Sequence, residues 1–330
     1  MQRIMRELSI VPLFTAASVL LSQPVLADVT VFSDTFESGS TLNQTQITPT
    51  ANSTTYEIAS TKTTSSSISP GHLSMGITPT TSGFIEAQAL FATTPVILSS
   101  IGDYIDFSMT FTNTAQIYGG SSSSHFYIGL YNSGGAAPLA GVLTNAGLST
   151  TASSPYATGG AQLWQGYSGR VVYNSNSKIS TRPMQNGTGT TSANQDLVAD
   201  NVGGGAYNNP AGVNLGTSSS TLTITAGAPY TVQFRLTLTA ANTLDVTNLV
   251  YDALGNVVFK QGKTATGANY LTNSFDGLAF GYRYSGTSTN TAIDVNSIIV
   301  TTNVIPEPST FALAGLGMGL ALSVIRRRRR

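Results

Sequence analysis

Hydrophobic and polar residues alternate along much of the chain, and the clearest alternation lies between residues 230 and 239. Tyr, Val, Phe and Leu occupy every second position there, and Thr, Gln and Arg fill the positions between them. A period of two with threonine and aromatic residues indicates a β-strand with one buried face. We therefore predict a half-buried strand over 230–239.

The following residues extend this strand into an antiparallel unit. A turn at 240–242 leads into a second predicted strand over 243–252, where the alternation changes phase at Asn248 and indicates a bulge. Residues 254–256 are typical of another turn, after which a short strand is predicted over 257–259. Three consecutive antiparallel strands are expected from this stretch.

Similar short apolar segments recur along the chain, and a sustained period of 3.6 is found only near its two ends. Further strands are predicted at 83–91, 101–112, 126–131, 169–173, 221–225, 275–282 and 292–301. Many short strands separated by turn residues favour an all-β fold, an antiparallel β-sandwich of two packed sheets. We assign residues 28–302 to one such domain.

Two stretches of this domain have few apolar positions. Residues 43–69 and 174–220 are rich in Ser, Thr, Asn and Gly. A segment as long as 174–220 without clear strands is either functional or poorly ordered. We interpret it as a long loop excursion from the single domain.

The N-terminal residues 1–27 have the organisation of a secretory signal peptide. Arg3 and Arg6 precede an apolar run over 8–21, and small residues lead to a predicted cleavage between Ala27 and Asp28. The segment predicts export, with signal peptidase as a partner.

The C-terminal residues 303–330 combine a short motif, an apolar stretch and a basic end. Pro306, Glu307 and Pro308 precede a predicted transmembrane helix over 309–325. Its apolar part spans only ~22 Å, less than a hydrocarbon core of ~30 Å, which favours a thin or transient span. The basic stop comprises Arg326, Arg327, Arg328, Arg329 and Arg330. These arginines should remain in the cytoplasm and leave the motif at the outer membrane face, extended by its prolines.

This combination of motif, short span and arginine cluster resembles the PEP-CTERM sorting signal of exported bacterial proteins. The resemblance implies cleavage by an exosortase-like membrane protease. It also implies transient residence in the inner membrane, followed by transfer to the cell surface or extracellular matrix. The alternative interpretation is an ordinary tail anchor with a polybasic stop.

The body resembles the concanavalin A-like (laminin G-like or lectin-like) jelly roll in three patterned segments. They are the strand pattern over 31–36, the final strand pattern over 293–300 and the hairpin over 230–252. The resemblance implies that the first strand pairs with the last. Another β-sandwich or a solenoid remains the alternative.

Charge and cysteine content exclude some functions. Between residues 28 and 305 there are eight basic and thirteen acidic residues, which gives a net charge near −5. Such a body lacks the basic surface that nucleic acid requires, so we predict no nucleic-acid partner. The chain has no cysteine, so its core must stabilise the exported fold without disulfides.

Candidate catalytic chemistry is sparse. The two histidines, His72 and His125, have no metal-ligand spacing, and we predict neither a metal nor another cofactor. The body has three glutamates, Glu37, Glu57 and Glu86, and none belongs to an alternating acidic motif of the kind found in laminarinase-type jelly-roll glycosidases. Because glycoside hydrolysis requires two carboxylates across a sugar, we predict no catalytic residues and no enzyme.

Sugar binding without catalysis requires less, namely aromatic platforms with amide and carboxylate partners. Trp164 and Tyr167 lie in a glycine-containing segment, and Tyr207 lies within 174–220; these three are the candidate glycan contacts. The alternative for Trp164 is a core or inter-sheet aromatic.

The sequence therefore predicts an exported, non-enzymatic β-sandwich with a structural or adhesive role in exopolysaccharide and weak glycan binding. A carbohydrate-active enzyme with an unrecognised site is one alternative. An ice-binding protein, suggested by the alternating threonines at 221–225 and 237–239, is another.

Overall fold

The computed structural model describes most of the predicted domain. The described residues are 28–44, 49–50, 53–60, 64–77, 83–115, 125–138, 141–144, 147–149, 160–172, 177–184, 197, 213–218, 222, 224–284 and 291–304. Within them the chain forms β-strands and two short 3-10 helices, and no α-helix. In chain order the strands are β1 Val29–Asp34, β2 Thr41–Leu42, β3 Thr55–Ser60, β4 Thr64–Ser69, β5 His72–Ile77, β6 Gly83–Leu90, β7 Val96–Ile97, β8 Tyr104–Ala115, β9 His125–Asn132, β10 Gly141–Thr144, β11 Gly147–Ser149, β12 Gln165–Val172, β13 Ser177–Arg182, β14 Asn214–Ser218, β15 Pro229–Ala240, β16 Thr243–Tyr251, β17 Val257–Thr266, β18 Ser274–Phe275, β19 Gly277–Tyr284 and β20 Thr291–Thr302. The 3-10 helices are Gly160–Leu163 and Gly267–Asn269.

Most strands assemble into two large sheets that are antiparallel apart from short parallel contacts at β3, and β7 pairs with β18 in a separate two-stranded sheet. The eight-stranded sheet has the order β17-β16-β15-β8-β20-β5-β4, with β1 also paired to β20. The ten-stranded sheet has the order β11-β10-β3-β6-β19-β9-β12-β13-β14, with β2 paired to β3. The predicted all-β class is confirmed.

The core lies between the two sheets. Phe111 of β8 stacks on Phe126 of β9, with ring centroids 4.8 Å apart and planes within 6°. Phe107 of β8 meets Phe280 of β19 edge-on, with centroids 6.4 Å apart. Each contact joins one sheet to the other, so the aromatic side chains at the inward positions of these strands pack together between the sheets.

The first strand pairs with the last, as predicted. Val29 lies opposite Thr302, and Asp34 lies opposite Ile298. The predicted hairpin is also present, because β15 and β16 pair antiparallel with Thr237 opposite Asp245. The antiparallel β-sandwich is thus confirmed by its own strand pairing.

The predicted phase change at Asn248 is wrong. Leu244, Val246, Asn248 and Val250 all point into the core, so the alternation continues through the amide. Leu249 is only half-buried, on the outer face. Asn248 is a polar residue at an inward position, so the hydrophobic pattern wrongly indicated a change of phase there.

Several predicted strand limits also need correction. β17 continues to Thr266, well past residue 259, and β8 runs from Tyr104 to Ala115, later than the predicted 101–112. The segment predicted at 275–282 contains two strands, separated by Asp276. Residues 222, 224 and 225 are not in a strand, contrary to the prediction over 221–225.

The two polar stretches contain strands that the hydrophobic pattern did not reveal. β3 and β4 lie within 43–69, and β13 and β14 lie within 174–220. β13 pairs with β12, and β14 pairs with β13, so both extend the ten-stranded sheet. The expected loop excursion at 174–220 therefore begins and ends as sheet.

Candidate functional site

The sorting residues lie almost entirely outside the described part of the chain. Pro306, Glu307, Pro308, the five terminal arginines and Ala27 all fall beyond it. Asp28, the predicted first residue after cleavage, is described and exposed, and its carboxylate accepts a hydrogen bond from the Tyr104 hydroxyl.

Trp164, the first candidate glycan contact, is completely buried. Its indole Nε1 donates to the Ala136 carbonyl oxygen at 2.7 Å, and its ring packs against Tyr131 with centroids 6.2 Å apart. A Cβ added at Gly277 would lie 2.6 Å from the indole Cζ3 atom, so only glycine admits the ring. The burial supports the alternative interpretation of Trp164 as a core aromatic.

Tyr167, the second candidate, is also buried, on the inner face of β12. Its hydroxyl accepts the Leu271 backbone N–H at 2.7 Å, and burial raises its pKa to about 12. Such a tyrosine joins β12 to the segment before β18 and offers no surface to a sugar. Tyr207, the third candidate, lies outside the described residues.

The outer face of the ten-stranded sheet brings together two glutamates that are far apart in sequence. Glu57 of β3 lies opposite Gln88 of β6, and Glu86 lies opposite Ala59. Because side chains alternate along strands, Glu57, Glu86 and Gln88 share one face of two adjacent strands. Glu57 is 6% exposed, and Glu86 and Gln88 are fully buried. Sequence reasoning missed this juxtaposition because the three residues form no local motif.

Glu86 holds part of the chain against this face. Its Oε1 atom accepts the Leu197 backbone N–H at 3.2 Å and the side-chain amide of Gln88. The Tyr131 hydroxyl donates to the Leu197 carbonyl oxygen at 2.6 Å. Leu197 itself is buried in a second apolar cluster with Trp164 and Tyr131. Residue 197 thus covers the outer face where the acidic side chains lie.

His125 occupies the same outer face two strands away from β6. It is 5% exposed, and its Nδ1 atom lies 3.3 Å from the hydroxyl of Tyr127. The sequence offered no signal for this contact beyond the spacing of two residues along β9.

A charged network crosses the outer face of the eight-stranded sheet. Asp106 of β8 accepts hydrogen bonds from the Arg235 guanidinium, with Nε–Oδ2 and Nη2–Oδ2 distances of 2.8 and 2.6 Å. The Gln233 side-chain amide donates to the same oxygen, and Arg235 lies 4.3 Å above the Tyr104 ring. Burial raises the pKa of Asp106, although Arg235 and Gln233 oppose the shift. The network fixes the side chains of β8 and β15 in one arrangement.

The described residues contain neither a membrane-spanning helix nor a metal cluster. In these ranges no helix is long and apolar enough to cross a bilayer, and the predicted span over 309–325 lies outside them. Over the same ranges no group of three or more His, Cys, Asp or Glu side chains could hold a metal ion.

Residues 304–330 match the family model for the PEP-CTERM protein-sorting motif. The chain carries a PEP-CTERM motif at its C-terminus. The match includes the predicted motif and basic stop, and leaves the β-sandwich outside it. No curated protein matches the chain in sequence at a significant level.

Solved structures similar to this protein include legume lectins. Peanut lectin with a nine-residue peptide has a TM-score of 0.37 and 15% identity, covering 75% of this chain and 92% of the lectin chain. Lectin II from Ulex europaeus has a TM-score of 0.38 and 13% identity, covering 75% and 93%. A Shewanella oneidensis protein of unknown function has a TM-score of 0.36 and 12% identity, covering 75% and 78%. Similarity at this level concerns the arrangement of strands alone.

Proposed function

We propose that this protein is an exported, non-enzymatic β-sandwich that an exosortase-type system sorts to the cell surface or extracellular matrix. Its role there is structural or adhesive within exopolysaccharide, with weak glycan binding. The observation that carries the proposal is the PEP-CTERM motif at residues 304–330. That motif concerns the route of export, and the body supplies the arguments for the role.

The exposed sheet surface supports an association with polysaccharide. The outward positions of β8 and β15 carry hydroxyl and amide groups, among them Thr110, Thr231 and Gln233. Hydroxyls and amides both donate and accept hydrogen bonds, as sugar hydroxyls do. The body carries few charged residues and has a net charge near −5, so electrostatic forces give it no strong attraction for polyanions.

The covered face of the ten-stranded sheet supports a role without catalysis. A glycosidase needs its two carboxylates open to a substrate and to water. Glu86 is instead fully buried and engaged by the backbone of Leu197 and by Gln88. The carboxylate therefore serves to hold the chain against the sheet.

A carbohydrate-active enzyme is the second candidate, favoured by one observation. Glu57 and Glu86 lie on the same face of adjacent strands. Release of reducing ends from the source organism's polysaccharide, abolished in Glu86→Gln, would establish this function in place of the first.

Alanine replacement of Pro306, Glu307 and Pro308 tests the sorting step. The variant should accumulate in the membrane fraction as an uncleaved form, because the protease loses the extended segment it recognises. Cell fractionation and the mass of the mature protein measure this. Release identical to that of the wild type would refute the exosortase assignment.

Co-sedimentation of the exported protein with the organism's own extracellular polysaccharide tests the role of the body. Saturable binding would support the adhesive role. A folded sample that does not bind would refute glycan binding and leave a structural surface protein.

A further inference from the structure

A pocket of about 380 Å³ opens on the outer face of the eight-stranded sheet. It lies where β8, β15 and β16 meet the turn between β16 and β17. Its lining residues are Thr110, Pro229, Tyr230, Thr231, Tyr251, Asp252, Ala253 and Gly255. The volume falls near the lower end of the ~300–1,000 Å³ range of ligand pockets, which suits a small ligand or one unit of a polymer.

Tyr251 forms the aromatic wall of the pocket. It is the last residue of β16 and points outward, because Val250 before it points into the core. Its hydroxyl donates to the Gln233 Oε1 atom at 2.9 Å, which fixes the plane of the half-buried ring. A ring held in this way can stack on an apolar sugar face without losing further side-chain freedom.

Thr110 and Thr231 supply the hydroxyl groups of the pocket. They lie directly opposite each other on β8 and β15, and their Oγ1 atoms are 3.1 Å apart. Only one of the two hydroxyl protons can be used in the bond between them. The other proton remains available to donate to a ligand.

Asp252, the residue after Tyr251, supplies a fixed acceptor among the lining residues. Its Oδ1 atom accepts the backbone N–H groups of Leu254 and Asn256, each at 2.9 Å, and Oδ2 accepts the Asn256 side-chain amide at 3.0 Å. The hydrogen bonds from Asn256 are the main cause of the lowered pKa of Asp252, so this carboxylate stays charged. A carboxylate has about four acceptor positions, and one on Oδ2 remains for a ligand hydroxyl.

We propose that this pocket is the glycan-binding site of the protein, and that it takes one neutral sugar unit of a polysaccharide. The inference rests on the proposed function and names its site and ligand class. The sugar stacks on Tyr251, donates a hydroxyl to Asp252 and accepts a hydrogen bond from the Thr110–Thr231 pair. An acidic sugar is excluded, because its carboxylate would face that of Asp252.

The test measures affinity of the full exported protein for dextran, a neutral galactan and polygalacturonate. Wild type should prefer a neutral probe. Tyr251→Ala should weaken neutral binding roughly two- to tenfold, the effect of losing one aromatic contact. Thr231→Val should weaken it similarly through the lost hydroxyl. Asp252→Asn should shift the preference towards polygalacturonate, an effect that altered folding alone would not produce.

Thr237→Val is the matched control. Thr237 lies on the same face of the same strand as Thr231 but outside the pocket, opposite Tyr104. Its affinity should equal that of wild type, and thermal unfolding of each variant should verify that it is folded.

Three results would overturn the proposal. Equal affinities for Thr231→Val, Tyr251→Ala and wild type would refute the pocket and leave the proposed glycan binding intact. Tighter binding of polygalacturonate by wild type would refute the ligand class. Failure of folded wild type to bind these probes or its own exopolysaccharide would refute both the site and the glycan-binding function.

Discussion

At the scale of single residues, Trp164 shows what a buried aromatic does on the outer side of a sheet. It follows a 3-10 helix, and its carbonyl oxygen accepts a hydrogen bond from the buried Arg182 guanidinium. Its ring lies against Tyr131 and over Gly277, so it covers β9 and β19. The residue closes the second apolar cluster, which also contains Leu197.

Trp164→Ala should destabilise the protein. Removing a fully buried tryptophan leaves a cavity and costs about 3–5 kcal/mol of unfolding free energy. The melting temperature should fall by roughly 6–20 °C in a domain of this size. Thermal unfolding followed by circular dichroism measures the change. Weaker glycan retention at an unchanged melting temperature would instead make Trp164 an exposed platform and contradict its burial.

Trp164→Phe is the control for this prediction. Phenylalanine keeps an aromatic ring against Tyr131 but loses the indole hydrogen bond to Ala136. Its cost should therefore be smaller than that of alanine. A phenylalanine variant as unstable as the alanine variant would show that the hydrogen bond, and not the ring volume, carries the stability.

At the scale of strands, the Asp106 carboxylate of β8 is bonded to Arg235 of β15, and folding disfavours its ionisation. Burial raises the pKa of Asp106 above its ordinary value of 3.8, with Arg235 only partly offsetting the cost. Folding therefore favours the protonated acid. The stability that comes from this preference is fully present below pH 3.8 and is lost as pH rises through the raised pKa of the folded state.

Asp106→Asn isolates this contribution, because asparagine does not ionise. The unfolding free energy of wild type minus that of the variant should increase as pH falls from about 7 to below about 4. Urea unfolding of both proteins across this range measures the difference. Burial also raises the pKa of Asp276, but that residue is common to both proteins and cancels. A difference that stays constant or falls with acidification would contradict the prediction.

β16 shows how a polar residue can lie inside a strand without breaking it. Asn248 is fully buried between the sheets, and neither polar atom of its side chain has a hydrogen-bond partner among the described residues. A Cβ added at Gly169 of β12, in the opposite sheet, would lie 2.5 Å from the Asn248 Nδ2 atom. Any side chain at residue 169 would therefore collide with the amide, and glycine leaves space for it. The pairing of β16 with β15 continues unbroken past it.

At the scale of the whole molecule, the two ends of the fold lie side by side. Val29 pairs with Thr302. Val29 is the second residue after the predicted cleavage site, and Thr302 is the second residue before the PEP-CTERM match at 304–330. The two terminal segments therefore leave the sandwich from neighbouring strands.

A disulfide between Thr30→Cys and Thr301→Cys tests this arrangement. The two residues are antiparallel partners, and such Cα pairs lie within the ~4.4–6.8 Å that a disulfide spans. The native chain has no cysteine, so the two introduced thiols have no native cysteine with which to pair. Closing so long a loop should stabilise the fold by up to ~5 kcal/mol. Non-reducing gels and thiol titration measure its formation.

The pair Thr30→Cys and Thr237→Cys is the control. Thr237 lies on β15, which β8 and β20 separate from β1, so this pair should keep two free thiols within each monomer. Free thiols in the Thr30–Thr301 pair after oxidation would contradict the pairing of the first and last strands.

Strand prediction was most accurate for β15, where one face alone is buried, and failed for several strands without a hydrophobic period. β15 alternates strictly in both sequence and burial, so its limits were predicted to within a residue. β3 is buried at every position, and β4 is mostly serine, so neither shows a clean period of two. β13 and β14 were missed for the same reason, because Ser, Thr and Gly give no hydrophobic signal.

The sequence by itself indicated the PEP-CTERM motif, the all-β class and the β15–β16 hairpin, because terminal motifs, local period and turn residues carry this information. The pairing of the two ends followed from the resemblance to a jelly roll and was confirmed by the register of β1 and β20. Only the tertiary structure decided that Trp164 and Tyr167 are buried, that Glu57 and Glu86 share a face, and that Tyr251 and Asp252 border a pocket. Those facts depend on strand order and register, which bring distant residues together and which no local pattern encodes.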